Sequence, residues 1–286
     1  MELRLRVLIA VFVVLAACGG DPSTDTADQT TTTVATEPGS DPSDEPSEDP
    51  SDDPTTVVVW QTKGEFLHPE PRGVESTPRI GAAAVEALLD GTVSDSFGSA
   101  VPGGVTLHSL VIDEGVATVD LSKEFESGGG SLSIRLRLGQ LVYTLTEFDT
   151  VKRVMLELDG APVEAFAGEG LVIGEGMTRK DFADLVAPIV VESPQPGAKV
   201  SSPIEISGTA NVFEANVSIR IVDAAGNELY SGFTTATCGT GCRGDYVARA
   251  RVQVDGTTQA TIEVFSASAE DGSPMHVIEV PVTIQP

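Results

Sequence analysis

The stretch Asp21–Thr56 decides where this chain can fold, because by composition it cannot form a core itself. It holds no aromatic residue, no Lys or Arg, and 11 acidic residues. Such a segment buries too little apolar surface to offset the entropy of ordering it. Pro38, Pro42, Pro46, Pro50 and Pro54 recur at every fourth position among Asp, Glu and Ser, and proline with like charge extends a chain. The segment is predicted to be a disordered spacer, spanning about 30 to 36 Å as a coil and about 110 Å as extended polyproline II. Its carboxylates lack the spacing and turn of a calcium loop. Core formation is left to residues 57–286, enough for two domains.

Upstream, Arg4 and Arg6 precede Val7–Ala17, an apolar run of 11 residues. A membrane-spanning helix needs about 20, so the run has the size of a signal-peptide core, and residues 1–17 are predicted to be a signal peptide. The tetrad Leu15-Ala16-Ala17-Cys18, followed by Gly19-Gly20, resembles the bacterial lipobox. That resemblance implies a thioether-linked diacylglycerol on Cys18, two chains being sufficient for stable anchoring, and a mature protein on the extracytoplasmic face of the cell membrane. An ordinary secretory cleavage or an uncleaved anchor are the alternatives, and neither has a use for a cysteine at this place. Residues 18–56 then comprise the lipidated cysteine and the acidic linker.

The formal charge is −26. Removing residues 1–17, with Glu2, Arg4 and Arg6, takes away a net +1 and leaves −27, which argues against polyanion partners such as nucleic acid. Cys238 and Cys242 remain as a predicted disulfide in an oxidising compartment. Two thiolates without a further ligand leave a zinc site incomplete, and Cys-Gly-Thr-Gly-Cys lacks the Cys-x-x-Cys spacing of thioredoxin-type chemistry.

Residues 57–185 form the first predicted folded segment. Val57–Trp60 reads as a strand, and Pro69, Pro71 and Gly73 make the next stretch a loop. Arg79–Leu89 places Ile80, Ala84, Ala87 and Leu88 on one helical face, ended by Asp90-Gly91. Val105–Ile112 and Val116–Leu121 flank Asp113-Glu114-Gly115 as a hairpin, with Ala117, Val119 and Leu121 alternating against Val116, Thr118 and Asp120. Ser131–Leu138 alternates like a strand, but Ile134, Leu138, Leu141, Leu145 and Phe148 keep helical spacing over a longer range. A helix is therefore expected, with Gly139 costing about 1 kcal/mol relative to Ala unless it allows a close approach to the sheet. Val151–Leu158 closes the order βαββαβ as a strand.

The blocks Ala83–Leu89, Val101–Val105, Gly115–Ser122 and above all Gln140–Phe148 followed by Val151–Val154 resemble the GerMN domain. The resemblance covers about residues 57 to 180 and implies an α+β fold that works by protein interaction. It brings no catalytic residue set. The family also occurs in lipoproteins of bacteria that form no spores, so its name alone assigns no sporulation role.

Residues 186–286 carry four prolines between Pro188 and Pro203, then β-rich runs at Ile204–Gly208, Val217–Val222, Leu229–Thr234, Tyr246–Val254, Ala260–Ser266 and Val277–Ile284. This spacing predicts an antiparallel sandwich, with Ala224–Asn227 as one turn. The segment Ser193–Pro203, with Ile206–Ala210, Val212–Asn216, Val264-Phe265 and Asp271-Gly272, resembles the immunoglobulin-like domain of bacterial spore germination. The resemblance implies adhesion or docking. Phe213 reads either as a partner-binding aromatic or, more in keeping with sandwiches, as a core or strand-edge residue.

Catalytic constellations are not legible. His68, His108 and His276 stand in different elements without zinc spacing, and Gly128-Gly129-Gly130 lacks the Lys-Ser/Thr of a phosphate loop and reads as a flexible loop. Asp113, Glu114 and Asp120 could serve glycoside hydrolysis, but turn acids are usually solvated. Trp60 could stack on sugar, although burial is the default for a lone Trp. The sequence therefore predicts a non-enzymatic lipoprotein scaffold without metal or cofactor, binding the bilayer through Cys18 and an envelope protein or cell-wall partner. A peptidoglycan- or glycan-modifying enzyme and a regulatory lipoprotein of a membrane sensor are the alternatives.

Overall fold

The computed structural model describes residues 54–92, 95–166 and 170–286. The signal run, Cys18 and the spacer up to Asp53 lie outside them. The first strand, β1 (Thr55–Lys63), already takes in Thr55 and Thr56, which the linker reading had included. Gly64, at φ +62°, turns the chain into β2 (Phe66–Val74), antiparallel to β1.

β2 is the clearest departure from the sequence reading, which made this stretch a loop on account of its prolines. Pro69 and Pro71 are two residues apart and so turn their missing N–H groups to the same edge. That edge is the outer one, because the Leu67 carbonyl, of the same parity, accepts from the Ala187 N–H at 3.0 Å. The ladder to β1 loses nothing, and the observed order begins with a hairpin.

Next come α1 (Ile80–Leu89), β3 (Leu107–Asp113), β4 (Val116–Leu121), α2 (Ser131–Leu145) and β5 (Arg153–Leu158). Glu114 and Gly115, at φ 44° and 85°, form the two-residue turn between β3 and β4. β5 lies parallel to β4, with α2 as the crossover. The short β6 (Ala161–Pro162) completes the sheet β3-β4-β5-β6, while β7 (Ala165–Phe166) and β8 (Leu171–Val172) pair separately. Ala117, Val119 and Leu121 are fully buried, as their alternation predicts.

The helical spacing of α2 wins over its local alternation because both its apolar and its polar residues find partners. Leu138, Leu141 and Leu145 are fully buried. Gln140 and Thr144 close the open edge of β1: Gln140 Nε2 donates to the Trp60 carbonyl at 3.0 Å and to Gln61 Oε1 at 2.8 Å, and the Trp60 N–H donates to Thr144 Oγ1 at 2.9 Å. Gly139 permits the close approach, since a Cβ there would stand 2.8 Å from Leu67 Cδ1. Buried Arg137 donates to the Ala100, Phe125 and Gly128 carbonyls. The glycine run at 128–130, expected to be flexible, is thus tied to α2 at its first residue.

The second half is a β-sandwich. One sheet is β9 (Ile189–Ser193), β11 (Ile204–Ala210) and β14 (Gly244–Ala250), in the order β14-β11-β9. The other runs β10-β16-β15-β12-β13, from β10 (Lys199–Ser201), β12 (Asn216–Asp223), β13 (Glu228–Thr235), β15 (Thr258–Ala267) and β16 (Pro274–Gln285). All pairs are antiparallel except β10 with β16, which is parallel. β9 and β10 lie within the proline-rich segment where no strand was expected. Val217, Ile219, Ile221, Ile262 and Val264 fill the core, with Asp223 Oδ1 accepting the Ala225 and Asn227 N–H groups in the predicted turn.

The two cores meet at β9, where Ile189 joins the sandwich and Val190 joins the core of the first half. Both halves belong to one compact unit. No helix among the described residues is long and apolar enough to cross a membrane.

Candidate functional site

A layered aromatic and cationic cluster stands where α2 ends against β1. The Trp60 and Tyr143 rings lie 4.6 Å apart at 52°. The Arg179 guanidinium sits 4.7 Å from the Tyr143 ring centre and 5.7 Å from that of Trp60, a cation–π arrangement. Trp60 Nε1 donates to Glu147 Oε1 at 2.9 Å, and the same carboxylate pairs with Arg179. Tyr143 and Glu147 are four residues apart on and just beyond α2, hence on one face. Arg179 is placed by a capping box at the head of the short helix Arg179–Leu185, where Asp181 Oδ2 accepts from the Thr178 N–H at 2.7 Å.

The opposite wall belongs to the sandwich. Arg243 donates to the Ala187 carbonyl at 2.6 Å, to the Val186 carbonyl at 3.3 Å and to Thr209 Oγ1 at 3.1 Å. Tyr246 OH donates to the Val190 carbonyl at 3.0 Å, an approach that needs Gly208, where a Cβ would fall 2.0 Å from that carbonyl oxygen. Between these walls lies a cavity of about 400 Å3 lined by Trp60, Tyr143, Arg179, Glu192 and Arg243 among others. This volume falls within the range of ligand clefts.

Burial shifts several of its groups. Desolvation raises the Tyr143 phenol and lowers the Arg243 guanidinium. Glu192 is solvent-exposed by area, yet desolvation first, then the Glu147 and Asp245 charges, raise its carboxyl. Two guanidiniums, of Arg179 and Arg243, and two carboxylates, of Glu147 and Glu192, thus line the cleft. Such an arrangement can recognise a polar partner by complementary charge and by stacking, and it contains no paired nucleophile and base.

The sequence-selected residues are distributed elsewhere. Cys18 lies outside the described residues. Cys238 and Cys242 are bonded, with Cα atoms 5.7 Å apart. Their loop packs on the Asn211–Ala215 segment, the Thr240 N–H donating to the Val212 carbonyl and Thr240 Oγ1 accepting from the Glu214 N–H. Phe213, expected to pack inward or at a strand edge, is 61% exposed, because Glu214 and Ala215 at φ 54° and 55° turn the chain sharply before β12. Asp113 and Glu114 stand at the turn of the β3–β4 hairpin while Asp120 lies opposite Ser109. That is roughly 13 Å along the strand, beyond the separation that glycoside hydrolysis uses. Asp120 instead accepts from the Gly160 N–H at 2.9 Å and lies 3.6 Å from His108. Trp60 is buried.

His68 and His276 do come together, on the wall of one cavity of about 180 Å3. Among the described residues no group of three or more His, Cys, Asp or Glu is placed to hold a metal ion. Sequence reading passed over Arg179, Glu192 and Arg243. The Thr178-x-x-Asp181 pattern was a usable signal for the first; single charges flanking strands gave none for the others.

Residues 47–164 match the family described as "Sporulation and spore germination", and residues 188–273 match the "Immunoglobulin-like domain of bacterial spore germination". Among solved structures, the first GerMN domain of the sporulation protein GerM from Bacillus subtilis is 21% identical, covering 44% of this chain and 98% of that one, with a TM-score of 0.40. The tandem GerMN domains of the same protein are 15% identical, covering 81% of this chain and 60% of theirs, with a TM-score of 0.42. No curated protein matches the chain.

Proposed function

We propose that this chain, which carries a sporulation and spore germination domain followed by an immunoglobulin-like domain of bacterial spore germination, is a non-catalytic binding scaffold of the cell envelope. It sits on the extracytoplasmic face of the membrane through diacylglyceryl Cys18 and holds an envelope protein or cell-wall partner.

The observation that supports this reading is the clasp at the junction of the halves. Arg243 reaches from the sandwich to the Val186 and Ala187 carbonyls, and the Ala187 N–H in turn binds the Leu67 carbonyl of β2. A module that presents two surfaces to a partner gains affinity when their relative placement is fixed beforehand. The Arg179 and Arg243 cleft offers the partner a mixed-charge wall, which confers specificity and register.

The test is covalent crosslinking in cells with identification of the captured protein, comparing the native chain with Arg179→Glu. Loss of one defined crosslinked species in the variant supports the reading; an unchanged set of species sinks the cleft as the contact surface. Anchoring is tested separately by radiolabelled fatty acid and by fractionation of Cys18→Ala. Unlabelled protein, or a variant that stays on the membrane, rules the lipid anchor out.

A further inference from the structure

On the other side of the β2 edge lies a second cavity, of about 320 Å3, walled by β2, β9 and β16. It adjoins the first, since Pro69, Pro71, Val190 and Gln195 line both. The second chamber differs in chemistry: its lining includes Phe97, Val191, Pro194 and Ile278, with His68, Glu70, Gln195 and Glu279 as its polar side chains.

His68 is 9% exposed and makes no hydrogen bond among the described residues. Its ring stands 6.1 Å from that of Phe97. Among the described residues, Glu70 Oε1 is the one fully shielded side-chain nitrogen or oxygen without a hydrogen-bond partner. The His68 ring nitrogens are unpartnered too, so they retain some surface, and this opens on the cavities that His68 lines. A ring nitrogen that opens on a largely apolar cavity is free to take a hydrogen bond from a ligand held there.

The geometry points to a binding site for a small neutral molecule with a compact apolar body and a single hydroxyl, the hydroxyl meeting the His68 ring. The volume suits a body of about ring size at the lower end of ligand cavities. Charged ligands are disfavoured from both sides. Glu70 and Glu279 border the cavity, repelling anions, while Arg72 already occupies Glu70 Oε2 at 3.3 Å and Lys63 lies close enough to act on His68. This site is independent of the scaffold reading, since neither Arg179 nor Arg243 lines it.

The experiment uses the whole chain and phenol as the probe, with toluene, benzylamine and benzoate as comparisons. The protein has three histidines, so histidine ring carbon–proton correlation spectra are simple, and a His68→Leu variant assigns the signal. Phenol is expected to move the His68 signal saturably, leave that of His108 in place, and bind roughly two- to tenfold more tightly than toluene, the ratio expected of one hydrogen bond. In His68→Leu phenol should fall to the level of toluene; in Val191→Trp, where the cavity is filled, both should be lost. An unmoved His68 signal up to the solubility limit of phenol overturns the proposal in the native chain alone, whether or not the variants fold. So does tighter binding of benzylamine or benzoate than of phenol.

Discussion

Ile189 and Val190 are neighbours on β9, yet they bury their side chains in different cores, Ile189 in the sandwich and Val190 in the α+β half. Strand alternation alone produces this, since successive side chains point to opposite faces. β9 is therefore a wall common to both halves, and damage to its two faces should separate. Ile189→Ala should cost the sandwich about 2 to 4 kcal/mol. Val190→Asp should leave the sandwich core intact while freeing the halves from each other. Hydrogen exchange resolved by segment checks this, with the amide of Ala187 exchanging faster in the second variant and the strands around Ile219 unaffected.

Gln140→Leu should destabilise the first half by about 2 to 4 kcal/mol. The change keeps the volume but leaves the Trp60 carbonyl and the Ala100 N–H unpaired, and an orphaned buried polar group costs about 1 to 3 kcal/mol. Urea unfolding followed by Trp60 fluorescence gives the value directly, because Trp60 is the single tryptophan. A midpoint equal to that of the native chain would remove the edge-capping role.

Reduction of Cys238–Cys242 should loosen one loop without unfolding the sandwich. A ring this small stabilises by about 2 kcal/mol in the chain-entropy model. The effect should show locally, as faster exchange at the Thr240 amide, whose acceptor is the Val212 carbonyl. Collapse of the whole sandwich on reduction would contradict it.

His68 makes the stability depend on pH. Burial, assisted by the Lys63 charge, lowers its ring from 6.5 to about 4. Between these values the unfolded chain binds a proton that the folded chain does not, so stability is full above about pH 6.5 and declines as pH falls toward 4. The loss is of the order of 3 kcal/mol at most. His68→Leu lacks this proton, so the native chain should gain stability relative to the variant on raising pH from 4.5 to 7. Parallel curves for the two proteins would show that His68 titrates normally.

Local pattern made much of this fold legible. The helices, the β3–β4 hairpin and the alternating strands of the sandwich follow from periods of 3.6 and 2 read over enough residues. β2 and β9 were hidden by proline, which marks loops unless its parity places it on an open edge, and parity relative to a partner is a tertiary fact. Phe213 was misplaced because two consecutive left-handed residues, Glu214 and Ala215, carry no glycine to announce them. The cleft was the least legible part, as Arg179, Glu192 and Arg243 come from segments brought together only by the packing of the two halves.

The prolines at 69 and 71 have a consequence for the seam inside the chain. A strand edge invites another extended segment to pair with it. On β2 the two missing donors fall on the edge turned to the sandwich, where the Leu67 carbonyl takes the Ala187 N–H and Pro69 and Pro71 line the cavities. The sandwich therefore docks there without extending the β1–β2 ladder, and the two sheets keep separate identities.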